Sequence, residues 1–96
     1  MKNYQYEVVA LIVEKSPLGE VSYKEDSIFL PTLKEAKAKA EEFASNVAKD
    51  GGRVEKLKSG KVDSSEWRYG LKAYEKDYSD NHRRFEFHVY KSYFID

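Results

Sequence analysis

The chain has 96 residues, with 17 basic and 17 acidic side chains and no net formal charge. A chain of this length forms one domain, spanning residues 1–96, and buries enough surface for a core without metal ions or disulfides. The balanced charge argues against a general polyanion binder and against an acidic mimic of DNA. The absence of cysteine excludes disulfides, thiolate nucleophiles and cysteine-ligated zinc.

No apolar segment is long enough to cross a membrane. The longest uninterrupted apolar run, residues 8–13, is far shorter than the roughly 20 residues that a spanning helix needs. The run is also a poor secretion signal, because Glu7 precedes it directly and no small-residue cleavage site follows. The sequence therefore predicts a cytoplasmic protein with no membrane partner.

The first third of the chain predicts a β-hairpin. Residues 4–15 form a long strand with apolar side chains on both faces, which is typical of a central strand covered at least partly on each side. A proline and a glycine within residues 16–19 predict a turn. Residues 20–30 then return as a second strand, which we expect to be irregular near residues 24–27.

A helix follows, with clear signals at both ends. Thr32 is positioned as the N-cap, and Glu35 lies where a capping box has its acid. Gly51 and Gly52 supply the C-terminal stop. The apolar face has helical spacing and is mostly alanine, which allows close packing on a sheet; it comprises Leu33, Ala36, Ala40, Phe43, Ala44 and Val47.

Three further strands are predicted at residues 53–57, 66–76 and 83–93, with turns at residues 58–61 and 79–81. Val62 is a candidate for pairing with a neighbouring strand. The expected fold is therefore α+β: one domain of ββαβββ order, with a mostly antiparallel sheet of about five strands and one helix packed on one face. The final strand is expected to offer a free edge, through which a homodimer could form. The helix is expected to cover Val8, Ile12, Trp67, Leu71, Phe85, Phe87 and Val89, or the opposite face of the first strand.

The last two strands each alternate an apolar face with a polar face, which indicates a half-buried antiparallel pair. Tyrosine and arginine are enriched at binding hot spots, so this outward face is the candidate binding surface. Its members are Arg68, Lys72, Tyr74, Arg84, His88 and Tyr90. The competing interpretation is structural, since cross-strand tyrosines and Arg–Glu pairs also stabilise a sheet that has no partner.

No residue pattern indicates catalysis, a cofactor or a metal ion. The glycines before Arg53 follow a helix, whereas phosphate-binding glycines lead into one. His82 and His88 are the only histidines, too few for a zinc site, although His88 is positioned to be a pH-sensitive contact. No nucleophile-elbow pattern frames a serine.

Two functions remain open. The first is a non-catalytic protein-binding module, an adaptor or inhibitor that uses the Tyr/Arg face or an edge strand, as a phage-type or other accessory protein would. It predicts that Arg84→Glu or Tyr90→Ala abolishes partner capture with the fold intact. The alternative is nucleic-acid binding through the same face, helped by Lys56, Lys58 and Lys61. A small-ligand protein or an enzyme is the least favoured class.

Overall fold

The computed structural model describes residues 3–58, 65–76 and 82–93, and these residues form five strands and one helix in the order ββαβββ. The elements are β1 (Tyr4–Ser16), β2 (Gly19–Leu30), α1 (Leu33–Ala48), β3 (Arg53–Lys56), β4 (Trp67–Tyr74) and β5 (Arg83–Tyr93). The strands make one sheet of order β2-β1-β5-β4-β3, in which all neighbours are antiparallel. The predicted α+β fold is confirmed. The turn predicted at residues 58–61 lies outside the described residues from residue 59 onward, and so do the turn predicted at residues 79–81 and the candidate pairing of Val62.

The β1–β2 hairpin turns through Pro17 and Leu18. Gly19 has a φ of +122°, a conformation that glycine adopts without a steric penalty. The Ser16 hydroxyl accepts a hydrogen bond from the Leu18 N–H at 3.2 Å and donates one to the Gly19 carbonyl at 2.9 Å. The side chain of Ser16 therefore fixes the turn locally, as turn serines do.

The irregularity expected in β2 is a β-bulge. Ala10 pairs with Asp26, whereas the next residue of β1, Leu11, pairs with Lys24. Glu25 is therefore the extra residue of β2, and the bulge breaks the regular ladder at this point of the sheet.

Both ends of α1 form as the sequence predicts. The Thr32 hydroxyl accepts a hydrogen bond from the Glu35 N–H at 3.1 Å, which satisfies one of the unpaired donors of the first turn. At the other end Gly51 has a φ of +97°, and the Gly52 N–H donates to the Ala48 carbonyl at 2.9 Å. The helix is thus confined to the 16 residues whose apolar face meets the sheet.

The core lies between this helix and one face of the sheet. Ala36, Ala40 and Ala44 are completely buried, so the helix backbone lies close to the strands. The helix packs on the face of β1 that carries Val8, which settles a choice that the sequence leaves open. The sheet residues buried under the helix are Val8, Leu71, Ala73, Phe87 and Val89. Val9 and Val13, on the other face of β1, are also buried, as expected for an interior strand.

The position of β5 corrects the prediction of a free final edge. β5 lies in the middle of the sheet and pairs with β1 on one side and with β4 on the other. The edge strands are β2 and β3 instead. The prediction was wrong because strand order depends on which strands pair over a long distance in sequence, and alternation within one strand carries no information on that choice.

Trp67 is a second correction, because it does not lie under the helix. In the pairing of β4 with β5, Trp67 is opposite Tyr90 while Tyr69 is opposite Val89. Arg68 is therefore an extra residue, and this bulge moves Trp67 to the face away from the helix. Ile12 lies on the helix side of β1 but outside the buried cluster.

Within the described residues, no helix is long and apolar enough to cross a membrane.

Candidate functional site

The sheet face away from α1, which we term the polar face, carries five of the six predicted binding residues: Lys72, Tyr74, Arg84, His88 and Tyr90. Arg68, the sixth, is the exposed bulge residue, and its guanidinium donates hydrogen bonds to the carbonyls of Ser65 at 2.7 Å and Trp67 at 3.2 Å. The sequence therefore predicts correctly which strands bring these residues together. The question is which of them a partner could reach.

His88 points away from the helix as expected, yet only 4% of it is exposed. The Trp67 indole Nε1–H donates to His88 Nδ1 at 3.0 Å, and an indole nitrogen can only donate. Nδ1 is therefore the acceptor, and the ring proton lies on Nε2. Nε2 lies 2.9 Å from the Glu86 Oε1, to which it donates. Both nitrogens of His88 are thus occupied by internal hydrogen bonds.

Arg84 extends the same network. Its guanidinium donates to Glu86 Oε2 at 2.7 Å and to both carboxylate oxygens of Glu20 on β2, at 2.9 and 3.2 Å. The hydrogen bonds to Glu20 and Glu86 raise the pKa of Arg84 despite its partial burial. Burial alone would raise the pKa of Glu86, but the hydrogen bonds from His88 and Arg84 outweigh it and hold that pKa below its usual value.

The tyrosines of the polar face are also engaged. Tyr74 is only 5% exposed, and the Arg53 guanidinium lies over its ring with 3.9 Å between the guanidinium carbon and the ring centroid. The Tyr90 ring stacks on His88 with centroids 6.1 Å apart. Burial raises the pKa of Tyr90, with a smaller contribution from the charge of Glu7.

Gly70 is the position around which this face packs. A Cβ at Gly70 would lie 2.9 Å from the Leu57 Cδ1, 2.9 Å from a ring carbon of Trp67 and 3.3 Å from His88 Nδ1. Leu57, just after β3, therefore lies on the same side of Gly70 as Trp67 and His88, and it is itself buried. An open groove of about 470 Å³ remains beside it, lined by Glu55, Lys56, Leu57, Lys58, Lys72, Arg84, Glu86 and His88.

The polar face is consequently a largely self-satisfied network. His88 and Tyr74 are buried, and the charge of Arg84 is matched by two carboxylates. Lys72 and Tyr90 remain half-buried. His82, the other histidine, is exposed, and its carbonyl accepts a hydrogen bond from the Lys15 N–H at 3.1 Å. Asp80, which the sequence places two residues before His82 in the same predicted loop, lies outside the described residues.

A second surface, which the sequence did not indicate, lies on the helix side of the hairpin. Tyr23 of β2 and Phe85 of β5 are both paired with Ile12 of β1, so the three side chains form a row across the sheet. Val21 lies two residues before Tyr23 and shares its face. Val21 is 55% exposed and Tyr23 is 47% exposed, whereas Ile12 and Phe85 are half-buried. We term Ile12, Val21, Tyr23 and Phe85 the hairpin patch.

A groove of about 500 Å³ joins the hairpin patch to α1. Its lining is mainly apolar and includes two carboxylates but no lysine or arginine of the described residues: Ala10, Glu25, Asp26, Phe43, Asn46, Val47, Phe85 and Phe87. The alternation of Val21 and Tyr23 was visible in the sequence. The sequence did not show how far the helix extends along the hairpin. That distance decides whether Val21 and Tyr23 lie in the core or on the surface.

A third surface lies at the opposite edge of the sheet, where β3 ends. Four cationic side chains from three parts of the chain converge there, namely Lys37, Lys56, Lys58 and Arg68. With Leu57, Trp67 and Tyr69 they line a concave site of about 690 Å³, which we term the basic corner. Lys56 and Lys58 were predicted to assist nucleic-acid binding; Lys61, named with them, lies outside the described residues.

No cluster of three or more histidine, aspartate or glutamate side chains suited to a metal ion occurs among the residues that the structure describes. Comparison of the chain with protein-family models, with curated proteins and with solved structures finds no match. Function is therefore inferred from the geometry of the three surfaces.

Proposed function

We propose that this chain is a non-catalytic protein-binding module, of the adaptor or inhibitor type, that captures its partner through the hairpin patch. The observation that carries the proposal is the row of apolar side chains on the helix side that α1 leaves uncovered. Val21 and Tyr23 are about half exposed there, beside half-buried Ile12 and Phe85. Contiguous apolar surface with a polar rim is typical of protein interaction sites.

The polar face is less suited to this role, although its residue types first suggested it. A partner that used Arg84 would have to compete with its hydrogen bonds to Glu20 and Glu86. Breaking such partly buried charge-assisted bonds costs free energy that the new contact must first regain. Arg84→Glu would also place a third carboxylate beside two others, so its effect on binding could not be separated from its effect on the fold.

The two edge strands offer little for pairing with a partner strand. β3 has only four residues and is mostly charged. β2 is longer, but the bulge at Glu25 interrupts it, and the bulge residue and its two neighbours, Lys24 and Asp26, are all charged. Short strands, bulges and charged residues are devices that protect an edge from strand addition. We therefore assign binding to the face of the hairpin rather than to its edge.

The charges around the hairpin patch define the partner's chemistry. Glu25 and Asp26 line the adjoining groove, and the positive charge of nearby Arg83 is matched by Glu75 at 2.7 Å. A second copy of the chain would bring like charges together, whereas a partner with an apolar anchor flanked by lysine or arginine would complement the surface. The occupant that we propose is such a basic, amphipathic segment of another protein.

Site-specific photo-crosslinking tests this assignment. A benzophenone amino acid replaces Tyr23 in one variant and Phe29 in another, and each variant is irradiated in the cells that make the protein. Phe29 is the matched control, because it lies on the same strand, is 50% exposed and faces the opposite side of the sheet. We expect a discrete protein adduct from position 23 and none of the same mass from position 29.

The partner protein captured in the adduct is then purified. Its affinity for this chain is measured for the parent sequence and for the Tyr23→Asp variant. We expect Tyr23→Asp to weaken binding at least tenfold, because it places a charge in an apolar contact, and Phe29→Asp to leave the affinity unchanged. Adducts from position 29 alone, or a partner that is insensitive to Tyr23→Asp, would contradict docking on the hairpin patch.

A further inference from the structure

The basic corner gathers four cations that make no ion pair with a carboxylate of the described residues. The charges of Lys24, Lys39, Arg53, Arg83 and Arg84 are matched by carboxylates within 4 Å. In the described part of the chain, no such ion pair is made by Lys37, Lys56, Lys58 or Arg68. The chain has no net charge, so this corner is a local excess of positive charge that is compensated elsewhere on the molecule.

The fold brings these four cations together from separate elements. Lys37 comes from the first half of α1, Lys56 ends β3, and Arg68 is the bulge residue of β4. β3 pairs with β4 only from Leu71 to Tyr74, and beyond it the Leu57 N–H donates to the Gly70 carbonyl at 2.9 Å. The edge of β4 before Gly70 is therefore left open within the described residues, and the concave site forms there.

Aromatic side chains lie among the cations. The ammonium groups of Lys37 and Lys56 lie 5.3 and 5.6 Å from the centroid of the Tyr69 ring. Burial, and to a smaller extent the charge of Glu41, raises the pKa of Tyr69, so the ring remains an uncharged phenol at neutral pH. Trp67 lines the same site. Rings flanked by unpaired cations suit a ligand that carries both an anionic group and a flat aromatic group.

We infer that the basic corner binds nucleotides, with lysines on the phosphate and the Tyr69 and Trp67 rings beside the base. The volume of about 690 Å³ lies within the usual range for small-ligand sites. Nucleotides reach such a site either free or as part of a single-stranded nucleic acid. This inference concerns a surface different from the hairpin patch and does not depend on the protein-binding proposal.

Trp67 makes the inference directly measurable, because it is the only tryptophan of the chain and lines the proposed site. The purified full-length protein is titrated with oligo-deoxythymidine, with a nucleoside triphosphate and with inorganic pyrophosphate, while tryptophan emission is recorded. We expect saturable quenching by at least one of the two nucleotide probes, with weaker binding of pyrophosphate, which has no base. Tighter binding of the oligonucleotide assigns the single strand as the ligand's source, and tighter binding of the triphosphate assigns the free nucleotide.

Charge-neutralising variants locate the binding. Lys37→Gln and Lys58→Gln are each expected to lower the affinity for the tighter-binding nucleotide probe about tenfold. The loss of one hydrogen bond to a charged group accounts for a factor of this size. Lys15→Gln is the matched control, because it removes the same charge from an exposed position on the hairpin. For the oligonucleotide, each site variant should also lower the slope of log affinity against log salt by about 0.7.

Three results would overturn the inference. One is unchanged Trp67 emission with both nucleotide probes. Another is an equal loss of nucleotide affinity in Lys15→Gln and Lys58→Gln, which would indicate general charge attraction. The third is pyrophosphate binding as tight as that of the better nucleotide, which would remove the role of the rings.

Discussion

The polar face and the hairpin patch lie on opposite sides of one sheet. They differ in how much of their hydrogen-bonding capacity and side-chain surface is used by contacts within the protein. On the polar face, the polar groups of Trp67, His88, Glu86 and Arg84 bond to one another in an unbroken chain that ends at Glu20. On the hairpin patch, Val21 and Tyr23 keep about half of their surface in contact with solvent. The Tyr23 hydroxyl is satisfied by Glu14 at 2.5 Å, but its ring is not covered.

This difference shows that residue type alone does not identify a binding surface. Arginine, histidine and tyrosine are frequent at interfaces, but the same residues also form internal networks once their partners lie on neighbouring strands. The distinction lies in whether the hydrogen bonds and the apolar surface are already used. By that criterion most polar groups of the polar face are already engaged, and we propose that the hairpin patch and the basic corner bind other molecules.

The largest expected effect is on the network itself. Arg84→Glu should lower the free energy of unfolding by about 3 kcal/mol, because it removes the cation that Glu20 and Glu86 share and adds a third carboxylate beside them. Urea unfolding measures the change. Arg68→Glu is the matched control; since Arg68 is exposed, its cost should stay below about 0.5 kcal/mol. Equal stability of the two variants would show that the polar face is not structural.

The packing around Gly70 gives the next largest effect. Gly70→Ala introduces a Cβ at 2.9 Å from both Leu57 and Trp67, closer than side-chain carbons approach. We expect a loss of about 1 to 3 kcal/mol, the usual cost of overpacking. Thermal unfolding, followed by near-ultraviolet circular dichroism of Trp67, measures it. A variant as stable as the parent chain would mean that the Leu57–Trp67–His88 packing is loose.

Acid should weaken the same network in a defined direction. The pKa of Glu86 is lower in the folded protein than its ordinary value of about 4.3, so its contribution to stability is complete above that pH and is lost as the pH falls through the folded pKa. Glu86→Gln should therefore be about 1 to 2 kcal/mol less stable than the parent at neutral pH. The two stabilities should converge in acid. A constant difference across a urea-unfolding series from pH 7 to about pH 3 would exclude this role of the Glu86 charge.

The hairpin patch should show the smallest effect on stability. Tyr23→Asp and Phe29→Asp both replace half-exposed aromatic side chains of β2, and each should change the free energy of unfolding by less than about 1 kcal/mol. Tyr23→Asp alone should reduce partner binding. Severe destabilisation by Tyr23→Asp would mean that the patch is core rather than surface.

The sequence predicted most of the fold because its signals are local. Thr32, Gly51 and the alternation in β4 and β5 act over a few residues, and each forms as expected. Strand order was not predictable, because the pairing of β1 with β5 joins residues about eighty positions apart and leaves no local pattern. The sequence placed Trp67 on the wrong face for a related reason. The bulge residue Arg68 reverses the alternation, and an arginine at that position does not predict a bulge.

The candidate surfaces were harder to predict than the fold. The sequence placed Lys72, Arg84 and His88 on one face, but it could not show that Glu20, from a distant hairpin, would neutralise Arg84. It placed Val21 and Tyr23 in a strand without showing that α1 stops short of them. Accessibility depends on tertiary packing, which residue spacing in one strand does not encode.

The most direct test of the account is the state of the His88 ring, observed by nitrogen-15 NMR of the unmodified protein at neutral pH. The hydrogen bonds from Trp67 and to Glu86 predict a single tautomer, with Nδ1 unprotonated and Nε2 protonated, together with slow solvent exchange of the Trp67 indole proton. A ring that averages between both tautomers, with a rapidly exchanging indole proton, would contradict the claim that the polar face is closed by its own contacts.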